Sequence, residues 1–500
     1  MDRVLNRPHW QLALLSGILV GLSYPPLHLG FLAWFGLIPL IHVLLNIKPR
    51  QSIPLTFLAS ITANFISLYW IGFNSGAGFL PVLASLIGAV IYLGIFWSGF
   101  GFLVSFIESK SSKGLLALPF TWVSMELIRS IGALGFPWIN LGLTQTEYLP
   151  LVQIADITGS YGISFWIILI NIGFYLSIIS KNSLKYLILT SAMFLLVLSF
   201  GLIRINTIED VNTDSVSIAI TQPNINPDEK WEPESREEIF SLMHGFLDSA
   251  LNLDADLVMW PESAIPAYLR LSSHRRRPIT NKLEKYNVPL LSGTVDRIIN
   301  KDGEKIYHNS TIYIKPNGNF EMYHKIHLVP FAEYIPLSGK FPSLKKLNFG
   351  QGNFTHGTEY TVFELDSVSF SNIICYESSM PAIVRKLIKN GAQFITIQAN
   401  DGWLGNSAGP YQHFELARLR AIENRVPIVR CANTGISGVI DPTGIVKHKI
   451  PLGEKSIIKV EILPAQKLTF YTKYGEIFAI LCIIFTIGIF TTAWLNHIKQ

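Results

Sequence analysis

Apolar and polar positions divide this chain into three regions. As far as about residue 203, apolar residues run in blocks with few charges, at about 10–25, 29–46, 53–72, 79–107, 114–131, 161–180 and 184–203. Blocks of this kind suit helices of ~20 residues, the length that crosses a ~30 Å hydrocarbon layer. Residues 204–474 read as ordinary globular sequence, and an eighth apolar block follows at 475–495. The first block follows Arg3 and Arg7 as a secretory signal would, but no small-residue cleavage pattern ends it, so it reads as a retained span.

The pattern predicts a polytopic membrane bundle of seven helices over 1–203, an extramembrane α/β domain over 204–474, and an eighth helix with a short tail over 475–500. Lys and Arg in the short connections orient it. Arg3 and Arg7, Lys48 and Arg50, Lys110 and Lys113, Lys181 and Lys185, and Lys499 all fall on one side of an eight-span layout. The opposite connections at 26–28, 73–78 and 132–160 hold neither residue. Basic connections stay in the cytoplasm, so both termini are expected inside and the 204–474 domain outside, in a periplasm.

Within that domain the periodicity alternates. Val216–Gln222 reads as a strand, 233–251 as a helix, and Leu257–Trp260 as a strand ending in Pro261-Glu262-Ser263. A helix near 275–286 precedes strands at 288–295, 306–315 and 319–324, the last two joined by the turn Pro316–Asn319. An apolar run then ends at Cys375, followed by a helix to Asn390, a strand Phe394–Gln398, a helix Gln412–Asn424 and a strand Ile428–Cys431. Such alternation predicts a layered α/β domain.

Composition agrees: 49% of residues are hydrophobic and only 15% charged, with a mean hydropathy of +0.35. The net charge of +5 is not gathered into a basic stripe, which argues against a nucleic-acid partner. Three cysteines, Cys375, Cys431 and Cys482, make neither a disulfide framework nor a CxxC metal pair.

Three polar residues stand out because each follows an apolar, strand-like run: Glu262, Lys325 and Cys375. A thiol needs a base, and a carboxylate serves if burial raises its pKa towards neutrality. An ammonium group nearby stabilises the oxyanion of a tetrahedral intermediate. The three make a complete set for acyl transfer, with Cys375 on a strand-to-helix turn where helix N–H groups favour a thiolate. Taken singly, each also has a structural reading: a buried small hydrophobe for Cys375, a helix cap for Glu262, a solvated strand-end charge for Lys325.

Glu262 in Trp-Pro-Glu-Ser, Lys325 before His-Leu-Val-Pro-Phe-Ala-Glu-Tyr-Ile-Pro, and Cys375 in Ile-Cys-Tyr-Glu resemble the motifs of the nitrilase, or carbon–nitrogen hydrolase, superfamily. With seven spans before the domain and one after, the whole chain resembles the apolipoprotein N-acyltransferases, membrane-embedded members of that superfamily. The resemblance implies an α-β-β-α sandwich with Glu262, Lys325 and Cys375 as a catalytic triad and no cofactor or metal. It implies an acyl chain passing from a phospholipid, through a Cys375 thioester, to the α-amine of a diacylglyceryl-modified apolipoprotein at the bacterial inner membrane, the last step of lipoprotein maturation. It carries over Glu333, as a support for Lys325 and the nucleophile, and Tyr376, Glu377 and Trp231 around the site. A monomer is expected. The superfamily signature alone leaves a second reading, a membrane-tethered amidase or nitrilase with water as acceptor.

One position departs from the family: Ala332 stands where Gly is frequent, and Ala disfavours the positive φ that Gly adopts freely. Other features stay open. His308, His324 and His327 lack zinc spacing and read as strand-end histidines. Arg275–Arg277 suits anionic headgroups or a solvated helix start, and residues 337–349 suit a membrane-facing arm or a surface loop. Phe136, Trp138 and Tyr148 suit a lipid entrance or packing of the bundle.

Overall fold

The computed structural model describes residues 5–76, 78–208, 214–336, 338 and 353–499. The chain forms two compact units: Met1–Gly72 with Val82–Ile208 and Tyr474–Gln500, and Phe73–Pro81 with Glu209–Lys473.

In the first unit every predicted apolar block is helical. Five helices among the described residues, Pro49–Phe73, Phe79–Ser111, Ser160–Ile179, Ser183–Asn206 and Ile477–Lys499, are long and apolar enough to cross a membrane. His9–Leu22, Gly30–Asn46 and Gly114–Arg129 are shorter. The long helices turn apolar side chains outward, among them Ile95, Leu196 and Ile484, as helices solvated by lipid do.

Buried polar groups secure the irregular stretches of this unit, because unpaired backbone groups are costly where water is absent. Asn171 accepts from the Leu37 N–H at 2.9 Å and donates to the Ala33 carbonyl at 2.8 Å, tying down the break between Gly30–Trp34 and Ile38–Asn46. Glu126 accepts from the Leu141 N–H at 2.7 Å, and Arg129 donates to Asn140 at 2.6 Å, holding the 132–160 connection to its helix. Trp138 in that connection is buried and its ring lies 5.2 Å from that of Trp70, so this side chain packs the bundle.

The second unit has twelve strands among its described residues: β1 (Val216–Gln222), β2 (Leu257–Met259), β3 (Leu290–Ile299), β4 (Lys305–Ile314), β5 (Phe320–His324), β6 (Phe363–Leu365), β7 (Val368–Ile374), β8 (Phe394–Ala399), β9 (Ile428–Ala432), β10 (Ser437–Ile440), β11 (Val446–Ile450) and β12 (Ser456–Ile462). They form two six-stranded sheets, ordered β12-β1-β2-β3-β4-β5 and β11-β10-β9-β8-β7-β6. Ile218, Met259, Leu291 and Tyr323 from the first sheet meet Phe370, Ile374, Phe394 and Val429 from the second in one buried cluster. Helices Arg236–Leu251 and Ser273–Tyr286 cover the first sheet's other face through Met243, Leu247, Ile279 and Leu283. Helices Pro381–Lys389 and Ala408–Asn424 pack on the second sheet, which completes the four-layer α-β-β-α arrangement.

The parallel pairings β1–β2–β3 and β7–β8–β9 form the middle of each sheet. Both are buried on two faces, as parallel strands require. Polar side chains cross between the sheets. Thr311 donates to Gln398 at 2.5 Å, Asn372 donates to Thr311 at 2.7 Å, and Gln398 donates to the Trp260 carbonyl at 2.6 Å. Their bonds are mutually satisfied, which fixes the register of one sheet on the other.

Candidate active site

Strand ends deliver the three residues singled out by sequence. Glu262 lies three residues beyond β2, Lys325 follows β5 directly, and Cys375 follows β7 directly. Two antiparallel steps from β3 through β4 to β5 return the chain to the direction of β2, so Glu262 and Lys325 leave the same edge of their sheet. Ligands of open α/β sheets bind at that carboxyl edge.

Glu262 is seated by backbone. Pro261 accepts from the Gly293 N–H at 3.2 Å, and a Cβ on Gly293 would stand 2.6 Å from the Glu262 Cα and 2.4 Å from the Pro261 oxygen. Lys230, fully buried on the segment after β1, donates to the Glu262 carbonyl at 3.2 Å.

Asn309 of β4 joins the carboxylates, its Nδ2 donating at 2.8 Å to both Glu262 Oε1 and Glu333 Oε1. Lys325 Nζ lies 2.9 Å from Glu333 and 3.9 Å from Glu262, and the second oxygen of Glu333 accepts from the Val329 N–H at 2.7 Å. Glu262, Lys325 and Glu333 are 8%, 1% and 5% exposed, dry enough for their charges to act strongly on one another.

The charges sort the roles. Burial pushes the Glu262 carboxyl up, Lys325 opposes this and Glu333 adds to it, with a net rise above the usual carboxylate range. Burial and then Glu262 push the Cys375 thiol well above its ordinary value, against Lys325. Burial alone would lower the Lys325 pKa, but Glu333 and Glu262 outweigh it and hold the ammonium charged. A neutral thiol, a carboxylate of raised basicity and a fixed cation therefore act on one another through their charges.

Cys375 adopts φ +51°, a left-handed conformation that costs a non-glycine residue about 1–2 kcal/mol. Glu377 secures the turn, accepting from the N–H groups of Ile374, Ile326 and His327 at 2.7, 2.7 and 3.0 Å and from the Tyr323 hydroxyl at 2.8 Å. Tyr376 is buried, its ring stacked 5.8 Å from that of His327. A 3-10 turn, Cys375–Ser379, separates the sulfur from helix Pro381–Lys389. Desolvation holds the sulfur as a thiol, against the thiolate expected from that helix's N–H groups.

Other sequence-derived residues fall elsewhere. Trp231 is 41% exposed, whereas its neighbour Lys230 is the one that touches Glu262. In the Phe331-Ala332-Glu333 turn the positive φ, +65°, belongs to Phe331, so the family glycine's freedom is not needed at Ala332. Cys431 is buried in β9 and donates to the Thr221 carbonyl at 3.2 Å. His308 bonds Thr355 and His324 bonds Ser310, both at 2.8 Å. Arg275 pairs with Glu237, and Arg276 donates to the Leu269 and Arg270 carbonyls. Residues 337 and 339–349 of the proposed arm lie outside the described residues.

Sequence reasoning passed over Lys230, Asn309, Asp401, His413 and Arg430. Asp401 carried a signal, since it too closely follows a strand, β8. Asn309 carried another, as Asn309-Ser310-Thr311 is a buried polar run inside a strand. Donor atoms of Cys375, Asp401 and His413 lie within 4.8 Å of one another. As a metal site the set fits poorly: Asp401 is bound by Arg430 at 2.6 Å, and the His413 ring nitrogens face Asp401 and the Cys375 carbonyl.

Residues 217–466 match the carbon–nitrogen hydrolase family model, and residues 16–173 match that of the apolipoprotein N-acyltransferase N-terminal domain. The chain is 33% identical over 493 residues to the apolipoprotein N-acyltransferase of Geobacter metallireducens, covering 96% of this chain and 94% of that one. It is 31% identical over 522 aligned residues to that of Chlorobaculum tepidum, covering 97% and 96%. With that of Rickettsia prowazekii it shares 32% over 412 residues, 81% of each. With both family models matched in order and full-length relatives above 30% identity, the chain belongs to the apolipoprotein N-acyltransferase family.

Proposed function

We propose that this protein moves an acyl chain from a phospholipid to Cys375 and then to the α-amine of the N-terminal diacylglyceryl-cysteine of an apolipoprotein. The observation that carries the reading is the Lys325 ammonium held 3.9 Å from Glu262 by Glu333, with the charges of Glu262 and Lys325 both acting on the Cys375 thiol. In the first half-reaction Glu262 takes the proton of the Cys375 thiol, and the thiolate attacks the ester carbonyl. Lys325 stabilises the oxyanion. Collapse breaks the ester C–O bond, the leaving alkoxide takes the proton from Glu262, and a lysophospholipid departs. In the second half-reaction the amine attacks the thioester and gives a proton to Glu262; the C–S bond breaks, and the departing Cys375 thiolate takes that proton back from Glu262 to become a thiol. Glu333 holds Lys325, Glu377 and Tyr376 shape the turn, and Trp231 offers an exposed apolar ring to the substrates. No step uses a cofactor.

The same reading places residues 1–203 and 475–500 in the inner membrane and 204–474 in the periplasm, as a monomer. It is supported by the apolar helices and by the one-sided distribution of Lys and Arg.

Purified protein in phospholipid micelles, without acceptor, tests this by intact mass. A hydroxylamine-sensitive acyl adduct is expected on the native chain and absent from Cys375→Ala, and it should transfer to a diacylglyceryl peptide amine. Release of free fatty acid with no transfer would favour water as acceptor; no adduct on folded protein would sink the lipid-donor mechanism.

A further inference from the structure

Cys375, His413 and Asp401 are the residue types of a cysteine–histidine–aspartate catalytic triad, and their donor atoms lie within 4.8 Å of one another. The hydrogen bonds do not follow that scheme. His413 Nε2 lies 3.0 Å from the backbone carbonyl of Cys375, and Nδ1 lies 2.7 Å from Asp401 Oδ1. A carbonyl only accepts, so Nε2 carries a proton and donates it there. A ring nitrogen committed in this way is not free to take the thiol proton.

We propose that His413, oriented by Asp401 and Arg430, is a positioning residue: its bond to the Cys375 carbonyl holds the nucleophile's backbone in the left-handed turn that presents the sulfur to Glu262. The proposal rests on the acyl-transfer reading above.

Cys375 has no intrinsic reason to sit at φ +51°. Strained backbone persists only where its surroundings over-determine it, and here the turn is clamped on both sides. Glu377 Oε2 accepts from the Ile374 N–H at 2.7 Å on one side, and His413 donates to the Cys375 carbonyl on the other. Glu377 belongs to the turn itself, whereas His413 comes from helix Ala408–Asn424 and anchors the turn to the second sheet.

His413 is itself fixed. Arg430, on β9, donates to Asp401 Oδ2 at 2.6 Å and to the Ile436 carbonyl at 3.0 Å, and its Nη2 lies 3.0 Å from His413 Nδ1. Asp401 opens the 3-10 turn that follows β8. Elements following β7 and β8 are thus joined to β9 by one side-chain cluster. His413 and Asp401 are 1% exposed and Arg430 0%, so the cluster is closed to substrate and acts through the backbone of Cys375. Burying three ionisable groups costs stability unless each is well paired, and this pairing converges on the nucleophile.

Side-chain shape separates positioning from base catalysis. Gln places its amide nitrogen near the position of the His Nε2, donates to a carbonyl and accepts no proton at neutral pH; Asn is too short to reach. The test compares His413→Gln, His413→Asn and His413→Ala with the native chain in phospholipid micelles. It reads the first-order rate of thioester formation at saturating lipid, the lipid concentration at half-maximal rate, and Tm. His413→Ala and His413→Asn are expected to acylate roughly 100-fold more slowly with the half-saturating lipid concentration unchanged, the scale of a displacement of about 1 Å at a reacting atom. His413→Gln should recover most of that rate.

Gln as slow as Ala in proteins of native Tm would overturn the proposal in favour of His413 as base, and His413→Ala at the native rate would overturn any role. If His413→Ala fails to fold, equal rates for Gln and Asn would overturn the proposal as well. Should the native chain form no thioester, the acyl-transfer reading fails by itself. The same series is then read on Cys375 alkylation by iodoacetamide, where Gln faster than Asn supports positioning and equal rates count against it.

Discussion

Glu262 keeps its place because Gly293 has no side chain. A Cβ there would meet three backbone atoms of 261–263 at 2.4–2.6 Å, and backbone cannot swing aside as a side-chain tip can. Gly293→Ala should push Glu262 away from Cys375 and lower thioester formation by roughly 10²-fold. It should also cost about 1–3 kcal/mol of stability as overpacking, read by intact mass and thermal denaturation. Glu262 also sets a pH dependence. Only its ionised form accepts the thiol proton, and burial raises its pKa from 4.5, so acylation should fall as pH drops through a limb lying above 4.5. A limb at or below 4.5 would contradict Glu262 as the buried base. The residues of the proposed triad were legible in sequence because each follows an apolar run; Gly293 and Lys230 were not, since what they touch is backbone distant in the chain. The Phe331 turn makes the same point, its positive φ being on a bulky residue that no propensity selects.

Among elements, β1 was read with identical ends at Val216 and Gln222, and β2, β5 and β7, which lead to the proposed triad, were also plain in the pattern. Strands β6, β10, β11 and β12 were not read. Three of them, β6, β11 and β12, are sheet edges, and β11 places exposed Lys447, His448 and Lys449 in a row. Charged edges of this kind block edge-to-edge pairing while hiding the period-2 signal. Strand β4 bears none of the three residues of the proposed triad, yet Asn309 links the two carboxylates that flank Lys325. Asn309→Leu would leave both acceptors without that donor, a loss of about 1–3 kcal/mol in Tm-derived stability. Because the Asn309 bond lowers the Glu262 pKa, its removal should move the acid limb of acylation to higher pH. A limb that stays put, or moves to lower pH, would show that Asn309 does not act on Glu262.

At the scale of the whole molecule the bundle was legible because apolar blocks need no partner to be recognised, while its internal fastenings were not. The Asn171 bonds and the ion pair of buried Asp156 with Arg204 at 2.7 Å follow no period along the chain. Three of the eight blocks fall short of a full span, two forming helices of only 14 and 16 residues and the third, Gly30–Asn46, being broken in two, so the span count leans on the alternation of basic and Lys/Arg-free connections rather than on length. That alternation is open to a direct test. In a Cys375→Ala background, where Cys431 and Cys482 are buried, a single cysteine at an exposed connection reports its side. Leu134→Cys lies in a connection without Lys or Arg and should react with a membrane-impermeant maleimide on intact spheroplasts. Asn182→Cys, between Lys181 and Lys185, should react only after the membrane is opened. The reverse labelling would turn the catalytic unit to the cytoplasm, away from the periplasmic side where the proposed acceptor is expected. Labelling of both from outside would mean an even number of crossings between them and overturn the eight-span layout without touching the chemistry at Cys375.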